Sequence, residues 1–168
     1  MKTLYLIGGT MGIGKTTACR LLKTKLPDSV FLDGDWCWDM HPFQVNPETK
    51  QMVLDNICCL LNNFLRCSCL RHIIFCWVMD QQSILDEILY TTGWQVLPVS
   101  LVCSREALCK RLQQDVSREK RSAGIFIRSP ERLPRYAGLQ TRKLDVSNLT
   151  PQETADRLAA MSAAPGAT

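Results

Sequence analysis

The stretch Gly8-Gly9-Thr10-Met11-Gly12-Ile13-Gly14-Lys15-Thr16-Thr17 decides the fold of this chain. It follows the apolar run Leu4 to Ile7 and leads into a helical pattern, so it matches Gly-x-x-x-x-Gly-Lys-[Ser/Thr] in both sequence and context. Glycines let the backbone curl until successive N–H groups point at one anion, and the following helix directs the positive end of its dipole to the same place. The stretch therefore predicts a site for the phosphates of a nucleotide.

The residues of this loop have distinct predicted roles. Lys15 brings a mobile positive charge to the β- and γ-phosphates, and the Thr16 hydroxyl can complete the coordination of a phosphate-bound Mg²⁺. The alternative, a glycine-rich turn that matches by chance, is disfavoured because strand and helix patterns flank it. The predicted nucleotide-binding residues of the loop are Gly9, Thr10, Met11, Gly12, Ile13, Gly14, Lys15, Thr16 and Thr17.

Length and composition indicate one globular domain spanning residues 1–168. The chain is 46% hydrophobic and 21% charged, as in ordinary water-soluble proteins. The apolar run at 1–7 is too short for a secretory signal, and no run approaches membrane-spanning length. The nine cysteines include no C-x-x-C pair, and His41 and His72 form no ligand cluster, so we expect a reduced, cytoplasmic protein. A catalytic thiol is a minor alternative.

Positive charge is concentrated in residues 105–143, which hold eleven Lys or Arg and four Asp or Glu. Such a block could bind nucleic acid, yet no aromatic interleaving or known nucleic-acid motif accompanies it. Beside a phosphate loop, a basic lid over the nucleotide is the simpler interpretation. We therefore expect an arginine-rich, mobile lid at about 117–140, neither nucleic acid nor membrane as a partner, and a frayed tail at about 162–168.

Strand and helix patterns alternate along the rest of the chain. Helix starts are predicted at Asn46-Pro47 and at the capping box of residues 150–153. Pro98 lies inside the fourth predicted strand, so that strand should be bulged or have a free side. Five alternations predict an α/β fold with a parallel sheet and helices on both faces, which places ligands at the carboxyl ends of the strands.

Two acidic features lie at that predicted edge. Asp33 and Asp35 are one residue apart, so in extended backbone they project to the same side, and Gly34 leaves room for a ligand between them. Phosphoryl transfer needs charge neutralisation at the phosphates and an oriented acceptor hydroxyl, which two carboxylates could provide. The alternative is an ordinary Asp-Gly turn. Asp80 ends the third strand and is a second metal-side candidate, or else a simple helix N-terminal residue.

The loop, the segment Phe31-Leu32-Asp33-Gly34-Asp35 and the basic lid together resemble small P-loop kinases of the gluconate, shikimate and adenylylsulfate kinase type, and the related antibiotic phosphotransferases. The resemblance implies a three-layer P-loop kinase fold with sheet order 2-3-1-4-5 and ATP as the donor. It also implies that Asp33 lies on the Mg²⁺ side and that Asp35 orients or deprotonates the acceptor.

Lid arginines in that family bracket the transferring phosphate and stack on adenine. The candidates here are Arg111 for nucleotide binding, Arg118 and Arg121 for catalysis, and Arg128 on the substrate side. Their individual roles stay open, because each could equally be a solvated surface residue.

The stretch after the second aspartate bears on the acceptor. Residues 26–49 contain no Lys or Arg, whereas kinases of carboxylates or nucleoside monophosphates need fixed positive charge there. We therefore expect a neutral or cationic hydroxyl compound, such as a nucleoside, an amino sugar or an antibiotic. Its predicted contacts are Asp35, Trp36, Trp38, Met40 and Phe43, although core packing is an equal alternative for the four apolar residues.

Two other classes of protein remain open. The first is a nucleotide-dependent hydrolase or switch, although the Asn-Lys-x-Asp signature of guanine-binding GTPases does not occur. The second is a catalytically inactive nucleotide-binding module. The D-G-D segment beside the loop favours transfer to an acceptor over hydrolysis.

Overall fold

The computed structural model describes residues 2–92, 95–117 and 124–163. Within them five strands alternate with α-helices, and two 3₁₀ helices follow β2 and α5. The strands are β1 (Thr3–Gly8), β2 (Ser29–Asp33), β3 (His72–Trp77), β4 (Val96–Val102) and β5 (Arg142–Asp145). The α-helices are α1 (Lys15–Lys25), α2 (Pro47–Arg66), α3 (Gln82–Thr92), α4 (Arg105–Ser117), α5 (Ile125–Arg128) and α6 (Pro151–Ala163). The first 3₁₀ helix is Gly34–Trp38 and the second is Pro130–Gly138.

The strands form one parallel sheet in the order β2-β3-β1-β4-β5, as predicted. Its register brings the functional ends of three strands to one edge. Gly8 of β1 is aligned with Trp77 of β3, and Asp33 of β2 is aligned with Cys76 of β3. The phosphate loop therefore leaves the central strand beside the end of β2.

Alternating residues of β1 supply two cores, one on each face of the sheet. Leu4 and Leu6 pack with the apolar side of α2 and α3. Tyr5 and Ile7 pack on the opposite face, against α1, α4 and α6. This period of two is expected for a strand covered on both faces. In the described part of the chain, no helix is long and apolar enough to cross a membrane.

The helix starts and the proline strand agree with the sequence patterns. Asn46 and Thr49 form a reciprocal capping box at the start of α2, and Thr150 and Glu153 do the same before α6. Strand β4 is interior, but β5 pairs with it only from Val99 onward, one residue after Pro98. Pro98 lies just outside the β4–β5 pairing. The sheet therefore loses no hydrogen bond to β5 from the missing N–H of this proline.

The described part of the predicted lid contains two helices that the sequence pattern did not indicate. The prediction is a mobile segment with little apolar periodicity at about 117–140, and within it α5 spans Ile125–Arg128 and the second 3₁₀ helix spans Pro130–Gly138. Ile125 is buried in the core cluster on the α4 side, and Tyr136 and Leu139 are buried in the cluster on the α2 side. The changes from α-helix to 3₁₀ helix alter the spacing of these side chains, which hides the pattern. The rest of the predicted lid, 118–123, and the tail after 163 lie outside the described residues.

Candidate functional site

The phosphate loop joins Gly8 to Lys15, and its shape depends on glycine. Gly12 and Gly14 have φ angles of 78° and 104°, in the left-handed region that other residues rarely adopt. A Cβ atom at Gly12 would also lie 2.3 Å from Cδ2 of Leu112 in α4. The backbone conformation therefore requires glycine at position 12, and α4 packs closely over it.

Lys15 lies half-buried across the loop that precedes it. Its ammonium Nζ donates to the carbonyl oxygens of Gly9 at 2.8 Å and Thr10 at 3.0 Å. These contacts hold the positive charge at the mouth of the loop, where the motif predicts that phosphate oxygens bind.

Thr16 connects the loop to the end of β2. Its Oγ1 donates to Oδ2 of Asp33 at 2.7 Å, and Asp33 is only 6% exposed. The hydroxyl and the carboxylate meet because β1 and β2 end at the same edge of the sheet. Thr16 and Asp33, two of the three residues predicted for the metal side, are therefore direct neighbours.

This pair of oxygens has the chemistry expected of a Mg²⁺ site in a phosphotransferase. Mg²⁺ usually binds through one or two protein oxygens and completes its octahedron with water and substrate phosphates. Thr16 and Asp33 fit that donor set. In residues 2–92, 95–117 and 124–163 no group of three or more His, Cys, Asp or Glu could hold a metal ion.

The backbone after Asp33 does not stay extended, contrary to the sequence prediction. It turns into the first 3₁₀ helix, and Oδ1 of Asp33 accepts from the N–H of Asp35 at 3.1 Å. Aspartate is a preferred N-cap residue because its carboxylate accepts from a free backbone N–H, and here it starts the 3₁₀ helix where the strand ends. One carboxylate oxygen of Asp33 thus accepts from Thr16 and the other fixes the backbone of Asp35. Asp35 itself is exposed at the edge of the sheet.

Gly34 is required by packing against Trp77. A Cβ atom at this position would lie 2.5 Å from Cγ and 2.6 Å from Cδ1 of that indole ring. The sequence analysis explained Gly34 by the space that it leaves for a ligand, whereas in the structure that space is occupied by the Trp77 ring. The close approach of the backbone to Trp77 sets where Asp35 emerges.

Asp80 follows β3 and pairs with two arginines that the sequence interpretation did not select. Its Oδ2 accepts from Nη1 of Arg132 at 2.6 Å and from Nη1 of Arg135 at 2.8 Å. The Asp80 side chain is 3% exposed, whereas the two arginines are 34% and 51% exposed. The oxygen predicted to face a metal therefore holds two guanidinium groups. Only the i, i+3 spacing of the arginines signalled that both lie on one side of a helical turn.

Two buried residues attach this arginine-bearing segment to the phosphate loop. Thr10 Oγ1 donates to the carbonyl of Ser129 at 2.8 Å, and the Ser129 hydroxyl donates to the carbonyl of Met11. Tyr136 packs beside Gly8, with its Cε1 3.7 Å from the place of a Cβ atom there. Burial, with a smaller contribution from the Asp80 carboxylate, raises the pKa of the Tyr136 phenol, which stays neutral. The arginines are therefore held beside the loop.

Arg111 reaches the phosphate loop from α4, and its nucleotide-binding role stays a prediction. Its Nη1 donates to the carbonyl of Ile13 at 3.2 Å, and its Nη2 donates to the carbonyls of Val146 and Leu149. The guanidinium thus joins the loop to the chain that enters α6. A pocket of about 290 Å³ opens between the loop, Arg111 and Leu149.

The predicted aromatic residues divide into packed and exposed members. Trp38 lies between Phe43 and Trp77, with ring centroids 5.7 and 6.2 Å away, and its Nε1 donates to the carbonyl of Gln44 at 3.0 Å. Trp36 and Phe43 are 53% and 65% exposed. Trp38 therefore packs between two aromatic rings, whereas Trp36 and Phe43 present apolar surface to solvent.

A second cavity of about 480 Å³ lies behind Trp36, between the first 3₁₀ helix and α2. Leu32, Cys37 and Leu60 contribute apolar wall and Asn56 contributes a polar group. Met40 is half-buried near the end of this segment. The exposed ring of Trp36 thus lines a cavity at the edge of the sheet where Asp35 lies.

The remaining arginine candidates are less well placed. Arg118 and Arg121 lie outside the described residues. Arg128 is exposed in α5, directly before Ser129. Of the four arginines predicted from the sequence, the structure brings Arg111 to the phosphate loop.

Comparison of the sequence with protein-family models gives a match over most of the chain. The model, described as an AAA domain, matches residues 6–132, which include the phosphate loop, both aspartates of the D-G-D segment, Asp80 and Arg132. The chain belongs to this AAA-domain family. No curated protein sequence matches the chain.

Several solved structures share the fold of this AAA-domain protein. The tunicamycin resistance protein of Deinococcus radiodurans is 20% identical with a TM-score of 0.73, and the match covers 99% of this chain and 100% of that one. A gluconokinase from Sinorhizobium meliloti is 16% identical with a TM-score of 0.70, covering 96% and 91%. The shikimate kinase of Acinetobacter baumannii, solved with shikimate, is 19% identical with a TM-score of 0.66, covering 97% and 93%. The predicted resemblance and the P-loop kinase-like fold are thereby confirmed.

Proposed function

We propose that this AAA-domain protein is a phosphotransferase that moves the γ-phosphate of ATP to a hydroxyl group of a small neutral or cationic molecule. The observation that carries the proposal is the 2.7 Å hydrogen bond between Thr16 of the phosphate loop and Asp33 of the D-G-D segment. It brings the nucleotide-binding part of the chain next to Asp35, the candidate acceptor-side carboxylate. Transfer to an acceptor uses such a neighbour to orient the acceptor hydroxyl.

The donor side consists of the phosphate loop, Lys15 and the Thr16–Asp33 pair. The loop amides and the Lys15 ammonium bind the phosphate oxygens of ATP. Thr16 and Asp33 would hold Mg²⁺, and the ion would supply charge neutralisation at the phosphates. Arg111 and the pocket beside it receive the base and sugar of the nucleotide.

Asp35 acts on the acceptor side. As the acceptor oxygen forms its bond to the γ-phosphorus, the hydroxyl proton passes to the Asp35 carboxylate, and the bond to the β-phosphate oxygen breaks to leave ADP. Asp35 can be directed at this task because its backbone N–H is fixed by Asp33 and the turn before it is packed against Trp77. The backbone that carries this carboxylate is therefore fixed before the acceptor binds.

Arg132 and Arg135 stabilise the transferring phosphate. Two guanidinium groups and one carboxylate leave a net positive charge beside the loop, and Asp80 holds both arginines from below. Such fixed donors stabilise developing negative charge without reorganising during the reaction. In this proposal Asp80 acts through the arginines and does not bind the metal ion.

Three observations support a neutral or cationic acceptor. Residues 26–49 contain no Lys or Arg, so the segment beside Asp35 offers no fixed cation for an anionic substrate. Trp36 is exposed and lines the cavity behind it, and Phe43 also exposes apolar surface. One protein of similar fold is named for resistance to tunicamycin, an antibiotic. A nucleoside, an amino sugar or an antibiotic-like molecule fits these features.

The test is ADP release from ATP and Mg²⁺ with a panel of hydroxyl compounds. We expect release that depends on a neutral or cationic acceptor, with a phosphorylated product of matching mass. Release without any acceptor would indicate a hydrolase, and binding without release would indicate an inactive module. Preferred transfer to gluconate, shikimate or a nucleoside monophosphate would contradict the acceptor class while leaving the kinase activity intact.

A further inference from the structure

Two cysteines face each other in the turn between α2 and β3. The sulfur atoms of Cys67 and Cys69 are 3.2 Å apart. Cys67 is half-buried and Cys69 is exposed, so reagents in solution can reach the pair. The turn precedes His72, which is aligned with Thr3 at the edge of the sheet opposite Gly8. The pair is therefore separate from the proposed phosphotransfer site.

The backbone of the turn holds the two thiols together. The N–H of Cys67 donates to the carbonyls of Asn63 and Phe64 and ends α2, and the N–H of Leu70 donates back to the carbonyl of Cys67 at 3.2 Å. A disulfide bond is about 2.05 Å long, so about 1 Å of approach within this turn would join the sulfurs. The pair is already arranged for that reaction.

The hydrogen bond between the two thiols and a nearby ammonium group make the thiols unequal. Lys2 Nζ donates to the carbonyls of Leu65 at 2.7 Å and Cys67 at 2.6 Å, which places an ammonium group beside Cys67. The hydrogen bond from the Cys69 thiol, with smaller contributions from the Cys69 N–H and Lys2, lowers the pKa of Cys67. The same thiol contact raises the pKa of Cys69. Cys67 is therefore the first to become a thiolate, the form that reacts with disulfides.

Another cysteine pair in the chain shows how the surroundings affect the reactivity of two neighbouring thiols. Cys19 and Cys76 are also neighbours, but both are completely buried. Burial raises the pKa of Cys19, and the core excludes reagents, so that pair is inert. Proximity alone does not distinguish the two pairs, whereas exposure does.

We infer that Cys67 and Cys69 form a reversible dithiol–disulfide site that reacts with low-molecular-weight disulfides. The Cys67 thiolate attacks one sulfur of the small disulfide, forming a mixed disulfide and releasing one thiolate, which takes up a proton. Cys69 then loses its proton and attacks the Cys67 sulfur, which releases the second thiol. The dithiol is oxidised by two electrons and the small disulfide is reduced to two thiols.

The sequence provides a direct readout of this reaction. Trypsin cleaves after Arg66 and Arg71, so residues 67–71 form one fragment that contains only these two cysteines. The reduced full-length protein is incubated with oxidised glutathione, and its remaining thiols are then alkylated. After digestion with trypsin, the mass of the fragment 67–71 is measured by mass spectrometry. We expect a fragment without alkyl groups that is lighter than the reduced one by two hydrogen atoms and is restored by dithiothreitol.

Variants separate the two steps. In Cys69→Ser, glutathione should remain attached to Cys67, whereas Cys67→Ser should gain it on Cys69 only slowly. Cys59→Ser, which removes an exposed cysteine from α2, is the matched control and should oxidise like the wild type. Three results in the wild type would overturn the inference. The fragment could retain glutathione, it could stay reduced while Cys59 reacts, or it could be linked to a second chain.

Discussion

Asp80 and Arg132 form a 2.6 Å salt bridge across 52 residues of sequence, from the end of β3 to the second 3₁₀ helix. Arg135 shares the same carboxylate oxygen at 2.8 Å. The carboxylate is nearly inaccessible, whereas the guanidinium groups keep contact with solvent at the edge of the sheet where the phosphate loop lies. A buried anion that fixes two accessible cations is suited to presenting them to a third, anionic group.

Asp80→Asn removes the charge and keeps the shape of the side chain. We expect turnover to fall about tenfold or more, because the two guanidinium groups lose their shared anchor. The Mg²⁺ concentration for half-maximal activity should not change, since the proposal gives Asp80 no contact with the metal. Steady-state assays with a Mg²⁺ titration measure both quantities.

The control for this experiment is Glu131→Gln, which removes an exposed carboxylate from the helix that carries the arginines. It should leave turnover unchanged. Arg132→Lys should also cost less in the Asp80→Asn background than in the wild type, because the two residues act together. A strongly raised Mg²⁺ requirement in Asp80→Asn would instead support a metal-side role.

Asp35→Asn tests the acceptor-side carboxylate. Nucleotide affinity should be retained, because the phosphate loop is intact, while transfer should fall by about 10²-fold or more, the contribution of a general base. Fluorescent-nucleotide binding and product formation separate the two effects. Asp39→Asn, an exposed neighbour after the same 3₁₀ helix, is the matched control. Unchanged turnover in Asp35→Asn would remove Asp35 from the catalytic role.

Thr16→Ala tests the proposed Mg²⁺ site. Loss of the hydroxyl removes a proposed metal ligand and the 2.7 Å bond to Asp33, so we expect the Mg²⁺ requirement to rise by about tenfold or more. Thr16→Ser keeps the hydroxyl and should retain near-normal behaviour. Equal Mg²⁺ titrations for the alanine and serine variants would show that Thr16 does not bind the metal.

Gly34→Ala tests the contact that positions Asp35. The new methyl group would meet the Trp77 ring at 2.5 Å, so we expect a loss of about 1–3 kcal/mol in the free energy of unfolding, typical of overpacking. Gly138→Ala is the matched control, because a Cβ atom there has no neighbour within 4 Å. Denaturant unfolding of both variants provides the comparison, and equal stability would contradict the packing role.

Local sequence determined much of this protein. The spacing of Gly9, Gly14, Lys15 and Thr16 specifies the phosphate loop, because that loop depends on backbone conformation and one helix end. Apolar periodicity specifies the elements and hence a parallel sheet, and the D-G-D segment has the residues for its chemistry within three positions. The family resemblance supplied the strand order 2-3-1-4-5, which the fold confirms.

Tertiary structure decided the contacts between distant parts of the chain. Asp80 meets Arg132 and Arg135 only because β3 lies beside β1 and the second 3₁₀ helix crosses that edge. Gly34 is required by an indole ring 43 positions further along the chain, and Asp33 turns the backbone where alternation predicted an extended strand. A side chain's own neighbourhood in sequence encodes its conformational preferences, but its partners are set by which strands pair and which surfaces pack.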